Sequence, residues 1–322
     1  MELSWCRSFI AVLELGGFSA AASALHRSQS RISAHVADLE RHLGETLLNR
    51  DVHPPTLTAA GEAFLPHARG MTDEWTAAVA AVEARRGDIS GTVAIGSVPS
   101  VSSQILAPLL TELSRRHPRV SFEVHEGPNS WLDEALTHRT VEVALRPLIQ
   151  VRPRPVFEHQ VLLDDPFVVV LPADHDLARQ ESVDLEQLAG HAILTTGEAG
   201  LDARVGGEFR QVLERVGIDR DHSMAVTQPT TVSSFVEVGL GLGLIGALPA
   251  RMLHHPAVVH RPLNHPGASR QIAAHWARTR SLSPAGTAFL RELVRFTRSE
   301  FGVEYPGPGM ALLNETADGA GA

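Results

Sequence analysis

The stretch Phe9–Gly61, FIAVLELGGFSAAASALHRSQSRISAHVADLERHLGETLLNRDVHPPTLTAAG, decides how this chain is read. Trp5, Phe9 and Val12 fall at i, i+4 and i+7, one face of a first helix that the Gly16-Gly17 pair stops. Ser19 reads as the N-cap of a short second helix, in which Phe18, Ala21, Ala22 and Leu25 repeat the helical spacing. Ser28 offers another N-cap, and Ile32, Val36, Leu39 and Leu43 form a third apolar stripe closed by Gly44. At 100° per residue, Ser30, Ala34 and Arg41 lie opposite that stripe, flanked by Arg31 and Ser33. Such a small, polar face fits a DNA major groove, and periodicity alone fits a solvated helix at least as well.

The residue types at Phe9, Ala21-Ala22, Leu25, Ser28-Gln29, Ser33, Leu39-Glu40, Leu43-Gly44, Leu47, Arg50 and Leu57-Thr58 with Gly61 favour the first reading. Together they resemble the DNA-binding signature of LysR-type bacterial transcriptional regulators. The resemblance implies a winged helix-turn-helix whose recognition helix opens at Ser28 to Leu39. It places Gln29 and Ser30 at base edges, Arg31 at a base or phosphate, Ser33 at a phosphate and Arg50 at the DNA backbone. Asp51 to Thr58 then form the wing, with His53 facing DNA. The chain departs from the family at Ser30, where Pro is usual, and at Leu48, where Phe is usual. Asp51, His53, Pro54 and Pro55 replace the Gly and Arg of the family's wing. A wing so composed is expected to grip phosphate weakly, leaving specificity to the recognition helix and to dimer pairing.

Charge gives no basic footprint. The net charge of the 322 residues is -9, and residues 1–90 hold 8 Arg against 11 Asp and Glu. This weakens non-specific attraction to DNA without bearing on the fold. All 28 cationic Lys or Arg positions are Arg, whose planar fork suits phosphate and guanine. The apolar and charged fractions, 43% and 20%, are those of an ordinary folded protein of two or three units. One cysteine, Cys6, excludes an intrachain disulfide. No secretory signal or membrane span is read, so the chain is expected in the cytoplasm.

Beyond the signature, Thr58 to about Arg86 reads as one Ala-rich helix. Met71, Trp75, Val79 and Val82 stripe it for its own domain or for a partner helix. After Gly91 strands and helices alternate in two βαβ series. Strands are expected at Thr92–Gly96, Val120–His125, Val141–Leu145, Phe167–Leu171, Ala192–Thr195, Ala225–Thr227 and Leu242–Ala247. Helices are expected at Ile105–His117, Trp131–Thr137, Leu185–Leu188, Phe209–Val216 and Val232–Val238. The resemblance implies an α/β chain with an all-α, small-winged N-terminal domain (1–58) and a linker and dimerisation helix (59–88). A two-lobed periplasmic-binding-protein-like effector domain (89–301) follows. Its lobe I comprises about 89–160 and 264–301, and lobe II about 163–262. The crossovers are placed near Pro155 to Leu163 and Val258 to Pro262, and a flexible tail at 302–322. Local phrases agree: Ala173–Ala178 (ADHDLA), Gly239–Pro249 (GLGLGLIGALP) and Leu282–Phe289 (LSPAGTAF).

Ligands of such lobes bind beyond the carboxyl ends of strands. Candidate residues there are Ser97 and Ser100, Asn129 and Ser130, Thr195 and Thr196, and Gln228 and Thr230. Arg146 is expected to add a full charge. Hydroxyls and backbone N–H groups near helix starts suit a small anionic metabolite. Each segment is singly explained as an N-cap; four together point to a ligand.

Gly241-Leu242-Gly243-Leu244-Ile245-Gly246 satisfies G-x-G-x-x-G, yet it follows a predicted helix. No acid occurs between it and Glu292, so a nicotinamide oxidoreductase is not supported. His254, His255 and His260 have no recognised metal spacing. The expectation is a DNA-binding, effector-sensing homo-oligomer without catalytic site, metal or cofactor. The alternative is a metabolite-sensing or solute-binding protein that has lost DNA binding.

Overall fold

The computed structural model of the protein describes residues 2–84, 89–148, 157–197, 223–278 and 281–302. The expected helix Phe209–Val216, the end of the linker at Arg86 and Gly87, and the tail beyond residue 302 lie outside them. The chain divides into two compact units, Met1–Ile89 and Ser90–Ala322.

In the first unit α1 (Leu3–Glu14), α2 (Phe18–Ala24) and α3 (Gln29–Leu43) enclose Phe9, Val12, Ala21, Ile32, Val36 and Leu39. Burying each of the larger side chains stabilises the unit by about 1.5–3 kcal/mol. Ser28 caps α3 by accepting from the Arg31 N–H at 3.2 Å, and Gly44 ends it in a left-handed turn at φ 75°. The N-cap expected at Ser19 is corrected. Gly17 occupies the cap position of α2, so the Ser19 hydroxyl donates to Gln29 Oε1 at 3.1 Å instead.

The wing is β1 (Leu48–Asn49) paired antiparallel with β2 (Thr56–Leu57). α4 (Ala59–Ala84) follows it and packs its first turns on the same core through Ala60, Phe64, Ala68 and Met71. Thr58 starts this helix, its hydroxyl accepting from the Gly61 N–H (3.1 Å) while donating to the Thr46 carbonyl (2.6 Å). A Cβ on Gly61 would lie 2.1 Å from the Leu47 carbonyl oxygen, which is why glycine stands there.

The second unit starts with β3 (Gly91–Ser97), β4 (Val120–Glu126) and β5 (Val143–Pro147), with β3 parallel to both neighbours. α5 (Pro99–Val101), a π-helical turn (Ser102–Leu106) and α6 (Ala107–Arg116) join β3 to β4, and α7 (Asn129–Thr137) joins β4 to β5. β6 (Phe157–Pro172) is followed by β7 (Val183–Asp184), β8 (Ile193–Thr196), β9 (Ser223–Val226), α8 (Pro229–Glu237) and β10 (Leu242–Gly246). α9 (Ala247–Ala250), β11 (Val258–Asn264), β12 (Ser269–Ala277) and α10 (Pro284–Phe301) complete it. Among the described residues the main sheet runs β4-β3-β5-β12-β6-β10-β8-β9, with β11 also on β6.

Two expectations are corrected here. The first crossover is one continuous strand, β6, whose first half pairs with β12 and whose second half pairs with β10 and β11. Val258 to Pro262 is no crossover; it pairs with Pro172 to Val168 inside lobe II, and the chain returns to lobe I between Asn264 and Ser269. Asp165 is 1% exposed and matched by Arg270, so the strand continues through Asp164-Asp165. Among the described residues no helix is long and apolar enough to cross a membrane.

Candidate nucleic-acid interface and ligand cleft

The first residues of α3 are presented to solvent: Ser28, Gln29, Ser30 and Arg31 are exposed, and Ser33 is half-buried. The apolar stripe of Ile32, Val36 and Leu39 faces inward, so the opposite side of the helix must face out. Ser28 and Ser30 share a hydrogen bond at 3.0 Å, and the Gln29 side-chain oxygen accepts from Ser19. The structure therefore brings Ser28, Gln29, Ser30 and Arg31 into one polar end of one helix.

Arg50, at the base of the wing, is placed by Glu40. One Glu40 oxygen accepts the Leu47 and Leu48 N–H groups at 2.9 and 3.3 Å, and the other accepts Arg50 Nη2 at 2.6 Å. The guanidinium also lies over the Phe18 ring, 5.4 Å from its centroid. It stays 41% exposed at the side chain, held but still open to a phosphate. His53 is exposed in the turn between the wing strands. Ala37, Glu40, Thr46, Leu48, Asn49, Arg50, Asp51, Leu57 and Thr58 line an open hollow between α3 and the wing, about 560 Å³ in volume.

The sequence reading missed His35, and it named Glu40 within the signature without giving it a role. Both lie on α3, and only the packing shows that they hold Arg31 and Arg50. Arg31 Nε donates to His35 Nε2 at 3.0 Å, and His35 Nδ1 meets Ser8 Oγ at 2.8 Å. Burial, and then the Arg31 charge, hold the His35 pKa below its usual 6.5.

In the second unit strand direction decides where a ligand would sit. β6 runs from lobe I to lobe II, parallel to β3, β4 and β5 through its antiparallel pairing with β12, so the carboxyl ends of those strands point at lobe II. β10 is antiparallel to β6, and β8 and β9 are parallel to β10, so their carboxyl ends point back at lobe I. Ser97 ends β3, Asn129 and Ser130 begin the helix after β4, Arg146 lies at the end of β5, and Ser100 lies in α5. Thr195 and Thr196 end β8, and Gln228 and Thr230 begin the helix after β9. α9 reaches α5 of the other lobe, so the two groups lie on strand ends that face each other where the lobes meet.

Within lobe I, the Gly127 N–H donates to the Ser97 carbonyl at 3.2 Å, joining the first two segments. Within lobe II, the Gly197 N–H donates to the Val226 carbonyl at 2.9 Å, joining the others. Buried Thr195 Oγ1 and Asn129 Oδ1 have no hydrogen-bond partner among the described residues, nor has Ser102 Oγ, which the sequence did not single out. Neither α7 nor α8 has a side-chain cap on its first turn. Arg146 departs from expectation. It is 8% exposed and its Nη2 pairs with Asp133 at 2.6 Å, so it brings a neutralised pair where a full free charge was expected.

Residues 3–62 match the family model for the bacterial regulatory helix-turn-helix protein of the lysR family, and residues 86–298 match that for the LysR substrate binding domain. The HTH-type transcriptional regulator ShiR of Corynebacterium glutamicum is 33% identical over 286 residues, covering 86% of this chain and 92% of that protein. A full-length OxyR variant from Pseudomonas aeruginosa shares the fold with a TM-score of 0.70 at 22% identity, covering 92% of this chain and 98% of that one. The BenM effector binding domain, solved with its effector benzoate, has a TM-score of 0.59 at 19% identity over 67% of this chain and 95% of that one.

Proposed function

The chain belongs to the LysR family of DNA-binding transcriptional regulators, and from that premise we propose that it grips its operator through the exposed start of α3 and senses a small anion in the cleft of its second unit. The observation that carries the sensing half is the set of buried polar atoms left over at the cleft, Thr195 Oγ1, Asn129 Oδ1 and Ser102 Oγ. Buried polar groups are normally paired, so such atoms mark a place that a ligand or ordered water completes. Two helix starts without side-chain caps add N–H donors there, which favour negative charge. With Arg146 matched by Asp133, those N–H groups and hydroxyls, rather than a free guanidinium, hold the anion.

At the other end, Gln29, Ser30 and Arg31 supply donors for base edges, and Ser28, Ser33, Arg50 and His53 supply backbone contacts. The acidic balance of residues 1–90 makes non-specific binding weak, so affinity rests on these few groups and on pairing two copies. Trp75, Val79 and Val82 form an exposed apolar row on α4, 55%, 40% and 62% accessible, suited to the same helix of a second chain. We read the chain as cytoplasmic and as acting by binding, without catalysis.

The test is a titration of the full chain on duplex DNA from upstream of its own gene, against unrelated duplex, with salt varied. Saturable binding that survives competitor and shifts with a carboxylate effector supports this reading. Binding no tighter than to competitor assigns the chain to effector sensing alone.

A further inference from the structure

We propose that His35 is a positioning residue for DNA recognition: as a neutral imidazole anchored on Ser8, it holds Arg31 so that both terminal guanidinium nitrogens face the duplex. The inference rests on the reading of Arg31 as a DNA contact. Its chemistry follows from one constraint. A guanidinium has donors and no acceptor. Arg31 Nε donates to His35 Nε2 at 3.0 Å, so that ring nitrogen carries no proton. The ring proton is then on Nδ1 and donates to Ser8 Oγ at 2.8 Å, and the Ser8 hydroxyl passes its own proton to the Ser4 carbonyl at 3.0 Å. Every proton in the row from Arg31 to α1 has one acceptor.

Ser8 is 1% and His35 7% exposed, so the anchor is rigid, whereas Arg31 is exposed. Binding through Nε leaves Nη1 and Nη2, the fork that reads guanine or phosphate, for the duplex. The charged groups that act on the ring are Arg31 and Asp38 on α3, Arg27 in the turn before it and Glu2 at the start of α1. The two arginines disfavour protonation, the two acids favour it, and burial disfavours it most. Protonation would put a hydrogen on Nε2 against the Arg31 N–H and break the bond that orients the guanidinium. The residue therefore links recognition to pH in a direction opposite to the general gain in DNA affinity as histidines become charged.

The test measures the affinity of the full chain for duplex DNA from upstream of its own gene, using Arg31→Ala, His35→Leu, His35→Gln and the Arg31→Ala/His35→Leu pair, with folding checked by thermal melting. Loss of the anchor frees one rotamer-rich side chain, so His35→Leu is expected to weaken binding roughly threefold to tenfold. The double variant should bind no worse than Arg31→Ala alone. His35→Gln should restore binding, since its amide oxygen accepts from Arg31 while its nitrogen donates to Ser8. Additive losses, or a folded His35→Leu at wild-type affinity beside a weakened Arg31→Ala, would overturn the role of His35 and leave the Arg31 reading intact. Arg31→Ala at wild-type affinity would remove both.

Discussion

Asp165 and Arg270 form a buried ion pair, Oδ2 to Nε 2.9 Å, where β6 leaves lobe I for lobe II and β12 enters lobe I. The other Asp165 oxygen accepts the Leu248 N–H at 2.8 Å, so one carboxylate ties both crossing strands to α9. Gly246 makes this possible, because a Cβ there would lie 2.1 Å from Asp165 Oδ2. Removing one partner of such a pair strands the other charge, so Asp165→Asn or Arg270→Met should cost about 3–5 kcal/mol. Denaturant midpoints measure this, and replacing both residues should recover part of the loss; equal stability of the single variants and the wild type refutes the assignment.

Thr195→Val should behave in the opposite way from an ordinary hydroxyl deletion. The Thr195 hydroxyl is 0% exposed and unpartnered among the described residues, so an isosteric methyl leaves the unliganded protein as stable or up to about 1 kcal/mol more stable. The same variant should lose most of the melting-temperature rise that small carboxylates give the wild type. A panel in which only neutral or cationic compounds raise the melting temperature would instead sink the anionic effector.

Arg50 is already paired with Glu40, and its expected effect is correspondingly uniform. Arg50→Ala should weaken binding to operator and unrelated DNA alike and lower the salt-dependence slope by about one. Undiminished operator affinity at physiological salt would show that the wing arginine makes no backbone contact.

Acid stability depends on His275, whose pKa is driven down to about 2 by burial in the sheet and then by the nearby Arg146 and His159. Above about pH 6.5 folded and unfolded forms are both neutral at this site and no stability is at stake. Below it the unfolded chain takes up a proton that the folded chain refuses, so stability falls with pH by at most about 1.4 kcal/mol per unit towards pH 2. His35 and His260, also shifted down, act in the same direction. His275→Leu should flatten the curve between about pH 6.5 and pH 4; an unchanged slope in urea melts would show that the histidine is charged in the fold.

Self-association through α4 predicts that Trp75→Glu or Val82→Glu shifts the assembly towards single chains in sedimentation while the helix-turn-helix stays folded. Both side chains are more than half exposed and so are not needed by their own unit.

Most of the helix-turn-helix was legible, the Ser19 cap apart, because its signals are local. Ser28 caps α3 and Gly44 ends it where the spacing says, and Phe9, Val12, Ile32, Val36 and Leu39 of the expected stripes are buried, whereas Leu43 is 38% exposed. Thr58 and Gly61 matched a pattern, and the structure supplies the reason in a hydrogen bond to Thr46 and a 2.1 Å approach to Leu47. The strands of both lobes and the polar residues at their ends were also readable, since alternation and turn chemistry belong to short segments. What the sequence could not state were partners distant along the chain. Asp165 is buried within a strand only because Arg270, 105 residues on, neutralises it. Arg146 looks like a free charge until Asp133 appears beside it, and the link from His35 to Ser8 and Arg31 appears only in the packing. Periodicity and capping act within a few residues and so are written in the sequence. The state of a charge or a ring proton depends on what folding brings within about 3 Å of it, and tertiary structure alone decides that.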